Sequence, residues 1–310
     1  GRDLLREGGQ KRAAGQDVPA RVRREHGSGR RLEHVQSRGG VVGGGVRLRR
    51  RRTGGGAGGA YVLRGDPTPD SGSFTAQSNF NARIAGTVAD SGFGSSVIGV
   101  GDVGGGNRGD FAVGAPGRYW WPSKGDAYAG DVYVFFGQIS GTMSTADADV
   151  VISGIDTQDW LGVNIAGAAD LDNDGVNELI CGASGDSDVA TQAGRALVFR
   201  GPLASGSINI SDADITILGD TAYTYVGEGV STGDFNGDGN LDLAVSSWSD
   251  GGYLWYGGIA DGTYPIASAD VIVNANSGPG MQNFGSPTKF VGDVTGDGLD
   301  DLVVADVGYN

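Results

Sequence analysis

Asp170, Asp172, Asp174 and Glu178 stand at positions 1, 3, 5 and 9 of the nine-residue run Asp-Leu-Asp-Asn-Asp-Gly-Val-Asn-Glu. Two further runs repeat the pattern, with Asp234, Asn236, Asp238 and Asp242 in one and Asp293, Thr295, Asp297 and Asp301 in the other. Four oxygen-bearing side chains at these offsets converge on one point only if the backbone curls tightly. A glycine at position 6 of each run (Gly175, Gly239, Gly298) permits that curl. The carbonyls of Val176, Asn240 and Leu299 at position 7 would complete an all-oxygen shell, the ligand set of a hard cation such as Ca²⁺. With no cation, the clustered carboxylates would repel one another; the competing reading is an acidic turn that simply stays solvated. About three Ca²⁺ sites are expected, the loop with four carboxylates (170–178) binding most tightly. A fourth copy keeps only its end carboxylates, Asp102 and Asp110, with Gly104 and Gly106 at positions 3 and 5. It is expected to bind weakly or not at all.

The elements around these loops are short strands. An EF-hand would place a bidentate Glu at position 12 and continue as a helix. Position 12 here is Cys181, Val245 or Val304, inside short apolar runs bounded by turn residues, which predict buried strands. Each loop is preceded by an apolar residue and glycine: Phe93-Gly94, Leu161-Gly162, Val226-Gly227 and Phe284-Gly285. A variable loop then leads to an apolar run ending in glycine, such as Asp131 to Gly137, Arg195 to Gly201 and Tyr253 to Gly257. A last run closes the unit at Ala148 to Ser153, Ala213 to Leu218 and Ala269 to Val273. The first residues of the loops lie 68, 64 and 59 residues apart. Four short strands per unit, with no helical periodicity in 61–310, predict an all-β propeller of four-stranded blades.

Phe-Gly, then Gly-Asp-Phe-Asn-Gly-Asp-Gly-Asn-Leu-Asp-Leu at 233–243, then Gly-Ala-Pro at 114–116 resembles the FG-GAP repeat of integrin α-chain propellers and many bacterial surface proteins. The resemblance covers about residues 58–310. It implies Ca²⁺ in the loops between strands 1 and 2 on one face, and a protein or carbohydrate ligand on the opposite face. By the same resemblance Tyr119, Trp120 and Trp121, which follow a Gly-Ala-Pro, and Trp248 lie on the ligand-bearing face. They are candidates for partner contact, against the alternative that they pack over their own blade. Trp160 and Trp255 read as core. The units divide as 58–92 (the end of an earlier blade and a connection), 93–160, 161–225, 226–283 and a partial 284–310. Gly59 to Gly65 resembles a third strand. Propellers of this family usually have seven blades, so four motif copies suggest an incomplete ring within a longer protein.

Composition separates residues 1–57 from the rest. Residues 1–60 hold 15 Lys and Arg against 5 Asp and Glu, whereas 61–310 hold 8 against 32. The first segment has no aromatic residue, Ile or Met, and is expected to be disordered. Arg49 to Arg52 invite a nucleic-acid reading, but without interleaved aromatics or a recognisable module no nucleic-acid partner is expected. A frame-shifted Gly-Asp repeat in a GC-rich gene would encode just such arginines, so the segment is also readable as an out-of-frame copy of an earlier blade. Both histidines (His26, His34) fall here, which excludes histidine-based triads and His-ligated zinc from 61–310. No catalytic residue is assigned. The function read from the sequence is a non-enzymatic, calcium-binding module for extracellular or cell-surface adhesion. The alternative is the propeller part of a larger secreted enzyme whose catalytic domain lies elsewhere. No apolar stretch is long enough to span a membrane, and no signal peptide is visible. The single cysteine, Cys181, reads as a buried apolar residue.

Overall fold

The computed structural model describes residues 33–37, 40–44, 56–64, 80–117, 128–137, 139–248, 251–274 and 284–306. The chain is all-β and propeller-like, built of small antiparallel sheets that follow one another along the sequence. In the first, β1 (Glu33–Ser37), β2 (Gly40–Gly44), β3 (Gly59–Arg64) and β4 (Ala82–Ala85) lie in sequence order. Gly59 to Arg64 is a third strand, as its sequence suggests. Its two predecessors come from the basic segment expected to be disordered. An antiparallel ladder is made by backbone groups, so β1 and β2 pair without aromatic or large aliphatic side chains.

The second sheet holds β5 (Ser96–Gly101), β6 (Asp110–Ala115) and β7 (Asp131–Phe135). The chain then departs: β8 (Gly141–Ser144) pairs in parallel with β4 of the sheet before, a one-turn 3₁₀ helix follows at Thr145–Asp147, and β9 (Val150–Ser153) returns to close the sheet. The third sheet repeats the excursion. It contains β10 (Leu161–Ala169), β11 (Glu178–Ala183) and β12 (Arg195–Phe199), then β13 (Gly206–Asn209), which joins β9, and β14 (Ile215–Leu218). The fourth has β15 (Gly229–Gly233), β16 (Asp242–Ser246) and β17 (Gly252–Trp255), then β18 (Gly262–Pro265), which joins β14, and β19 (Val271–Val273). A last pair, β20 (Phe284–Phe290) and β21 (Leu302–Asp306), starts a fifth. The unit thus has five strands where four are expected, because β8, β13 and β18 strap each blade to its predecessor. Each strap begins with a glycine whose N–H donates to a carbonyl just before the outer strand it joins: Asn81, Asp149 and Asp214, at 2.8–2.9 Å.

The core lies between sheets. Strand alternation sends Leu179, Cys181 and Ala183 of β11 toward the second sheet, and Ile180 toward the fourth. Both faces being covered, β6, β11 and β16 are buried along their whole lengths, which is why they read as apolar runs behind the acid that opens each. Cys181 is fully buried, and that burial pushes its thiol pKa up, so the expected apolar role holds. Trp160 and Trp255 are core residues as well.

Glycine pairs close the seams between blades. Single parallel bridges join Gly58 to Phe93, Gly130 to Leu161 and Gly194 to Val226. At the third seam Gly182 lies against Gly227, which has a φ of +89°. The glycine of the apolar-Gly pair is therefore a seam residue, set where two backbones meet.

Candidate metal centre

Each acidic loop joins the first and second strands of a blade, so its ends are fixed by the ladder. The position-1 carboxylate organises it. Asp170 accepts hydrogen bonds from the N–H groups of Asp174 (3.1 Å) and Gly175 (2.9 Å). Asp234 accepts from Gly237 (2.8 Å) and Gly239 (3.0 Å). Asp293 accepts from Gly296 (2.6 Å), Asp297 (3.0 Å) and Gly298 (2.9 Å). The position-5 carboxylates Asp174, Asp238 and Asp297 each accept the N–H of position 7, at 2.7, 2.8 and 3.0 Å. That bond holds the Asp238 carboxyl below the usual carboxylate range. At position 3, Asp172 and Asn236 accept the position-5 N–H at 3.2 and 2.9 Å.

In the loop at 170–178 these bends bring one oxygen each of Asp170, Asp172 and Asp174 within 4.8 Å of one another. Glu178 at position 9 is fully buried. One of its oxygens accepts the N–H of Leu171, while Oε1 has no hydrogen-bond partner. Burial, with lesser repulsion from Asp172 and Asp170, pushes the Glu178 pKa up to about 7. A buried oxygen with no donor, beside three converging carboxylates, is a cation-shaped deficit. The donor set fits Ca²⁺: it is all oxygen, with no thiolate or imidazole to favour a softer metal.

The other position-9 carboxylates are tied to the scaffold. Asp242 accepts from Phe235 and Gly257, both at 2.8 Å, and Asp301 accepts from Val294 (2.7 Å) and Thr295 (2.9 Å). In the reduced loop, Asp110 accepts from Val103, Gly104 and Gly137, and Asp102 from Gly106 and Asn107. The Phe136 ring lies against Gly104, where position 3 would need a ligand. Burial raises the pKa of both Asp110 and Asp242.

The loops share one face. The Asn177 side chain accepts the Asp102 N–H at 3.0 Å, Asn173 donates to Asn240 at 2.9 Å, and Asp300 accepts the Asp234 N–H at 2.9 Å. Trp248 follows β16, whose first residue closes the loop at 234–242. It therefore lies at the other end of that strand, half-buried, with its N–H on the Thr224 carbonyl at 2.9 Å. Tyr119, Trp120 and Trp121 lie outside the described residues.

Sequence reasoning missed a second charged cluster at that end. Arg195, buried, pairs with Asp186 (2.6 Å) and with Asp188, while the buried Asp159 accepts from Ile155 (3.2 Å) and Asp156 (2.9 Å). Asp186 and Asp159 are 27 residues apart, so no local pattern announces them. Burial, with Asp186 and Asp156 nearby, pushes the Asp159 pKa up to about 6. An acid whose pKa is raised on folding makes the folded state bind more protons. Its contribution is most favourable at low pH and is lost as pH rises from about 4 to about 6. Asp159→Asn is expected to remove this decline, on the order of 2–3 kcal/mol at most. Urea unfolding at pH 4 and pH 7 reads it: parallel pH dependence in wild type and variant would refute it.

Known proteins give the same reading of the repeat. The family description "FG-GAP repeat" matches residues 226–256, from the Val-Gly seam through the loop at 234–242 to the third strand. Mouse integrin alpha-IIb is 35% identical over 116 residues, which is 37% of this chain and 11% of that protein. Human integrin alpha-IIb is 35% identical over 115 residues (37% and 10%), and integrin alpha-5 of Xenopus laevis 32% over 123 (38% and 11%). The matched segment is thus about a tenth of the length of these relatives. Residues 226–256 match the FG-GAP repeat, and over about a third of its length the chain is similar to integrin alpha chains.

Proposed function

We propose that this chain is a non-enzymatic, calcium-stabilised propeller module of an extracellular or cell-surface protein, serving adhesion through a protein or carbohydrate ligand. The observation that carries the calcium reading is the loop at 170–178: three carboxylates converging beside a buried Glu178 oxygen that lacks a donor. Asp170, Asp172, Asp174 and Glu178 would hold one ion with the Val176 carbonyl. Asp234, Asn236, Asp238 and Asp242 with the Asn240 carbonyl, and Asp293, Thr295, Asp297 and Asp301 with the Leu299 carbonyl, would hold two more. Bound Ca²⁺ supplies charge neutralisation and a fixed loop shape. The protein's part is to bend each loop through its position-1 carboxylate.

The similarity to integrin alpha chains supports the adhesive reading, and the face away from the loops is where a ligand would meet Trp248; Tyr119, Trp120 and Trp121 are partner candidates by resemblance alone. No nucleic-acid partner is proposed. Among the described residues no helix is long and apolar enough to cross a membrane. Calorimetric titration with Ca²⁺ tests the proposal. About three ions per chain are expected, with dissociation constants on the order of 10⁻⁴–10⁻³ M as in extracellular modules. An absence of heat and of any spectroscopic change at millimolar Ca²⁺ would reject it.

A further inference from the structure

One residue outside the acidic loops has its charge placed against a candidate ligand. Arg200 immediately follows β12, and its Nη1 donates to Asp172 Oδ2, position 3 of the loop at 170–178, at 2.6 Å. Its Nε donates to Asp261 at 2.7 Å and its Nη2 to the Ile259 carbonyl at 2.9 Å, both just before the strap β18 of the next blade. The guanidinium thus spans a cation loop and a blade seam.

The same structural position can be compared across three blades. Phe136, Arg200 and Tyr256 each precede the glycine that ends the third-strand run (Gly137, Gly201, Gly257). Each donates its N–H to the aspartate that opens the fourth strand: Asp149, Asp214 and Asp270, at 2.7–2.8 Å. The backbone role is constant and the side chain tracks loop position 3. Where position 3 is Gly104, Phe136 lies against it; where it is Asp172, Arg200 neutralises it; where it is Asn236, the residue is the uncharged Tyr256. The loop at 170–178 has four carboxylates and one arginine, and the loop at 234–242 has three carboxylates and none, so their net charges are equal.

We propose that Arg200 is a built-in counter-ion that competes with Ca²⁺ for Asp172, lowering the affinity of the loop at 170–178 to that of its neighbour and coupling its occupancy to the seam with the next blade. This rests on the calcium reading of the loop, and it revises the expectation that four carboxylates make this loop the tightest. When Ca²⁺ takes the Asp172 oxygen, Arg200 keeps Asp261 and the Ile259 carbonyl, so it has a place to go without becoming unpaired.

The test uses the full chain carrying Asp238→Asn and Asp297→Asn, so that calorimetry reads the loop at 170–178 alone. A unit charge about 6 Å from a divalent ion, screened as in water, changes affinity about tenfold. Arg200→Met is therefore expected to bind Ca²⁺ about tenfold more tightly at low salt, and Arg200→Lys, which keeps the charge, within about threefold of the parent. In chelator the order reverses: Arg200→Met melts below the parent, because Asp172 loses its cation and the seam loses its tie. Arg200→Gln, which retains donors for the Ile259 carbonyl, should reproduce the affinity gain if the Met variant folds poorly. Unchanged or weaker Ca²⁺ binding in folded Met and Gln variants overturns the counter-ion role and leaves the site standing. A parent that binds no Ca²⁺ at millimolar concentration removes both.

Discussion

Moving the protein from Ca²⁺ at about 100-fold its dissociation constants (~10–100 mM) into chelator is expected to lower the melting temperature by on the order of 15 °C or more. One site held at about 100-fold above its dissociation constant contributes about 2.7 kcal/mol, so three contribute roughly 8. At about 2–4 °C per kcal/mol for a chain of this size, that is a large displacement. The physical source is visible in the loop at 170–178, where Asp170, Asp172, Asp174 and the buried Glu178 crowd one volume with a single arginine to offset them. Melting curves with and without chelator, restored by added Ca²⁺ and left unmoved by Mg²⁺ at equal ionic strength, would support the assignment. Overlapping curves would mean that the loops stand without an ion.

The second large effect is expected at Gly227. A Cβ there would sit 2.1 Å from the Arg195 carbonyl oxygen, a backbone atom with no rotamer to yield, and φ is +89°. The left-handed conformation costs an alanine roughly 1–2 kcal/mol, and overpacking a closed seam adds roughly 1–3. Gly227→Ala should therefore lose about 3 kcal/mol or more. In chelator, where no bound ion contributes, Gly175→Ala, also at positive φ (+92°) but facing open space, should lose only the conformational part. Chemical denaturation of the two variants makes the comparison; equal losses would show that the seam contact adds nothing to the backbone strain.

The parts of this architecture that repeat with strong side-chain signals were readable from the sequence. The acidic loops stand out because oxygen donors at positions 1, 3, 5 and 9 and glycine at 6 recur together, and β6, β11 and β16 because strands buried on both faces become apolar runs. The straps β8, β13 and β18 are short, polar and half-exposed, and they exist through the edge they join, so their own composition is silent. Alignment of the repeats held one clue: Gly141, Gly206 and Gly262 each stand seven residues before an Ala-Asp pair. Arg200 gave no local signal, since its acidic partner is 28 residues upstream in the chain. The hairpin β1–β2 was hidden for a related reason: its segment is poor in core-forming side chains, with no aromatic residue, Ile or Met, and its pairing with β3 is made by backbone groups.

The straps change what a repeat means energetically. In a stack of blades that merely touch, each could melt alone and leave its neighbours whole. Here β9 loses its parallel partner if the third blade opens, and β14 loses its partner if the fourth does. The first three blades each carry four residues of hydrogen-bonded edge that belong, in sequence, to the next. The nearest-neighbour term therefore includes backbone hydrogen bonds as well as apolar contact, and a strong term of that kind makes a linear array behave as one cooperative unit. Disorder entering at one blade is passed to the edge of the blade before it, so the array resists partial melting and, once it yields, yields together.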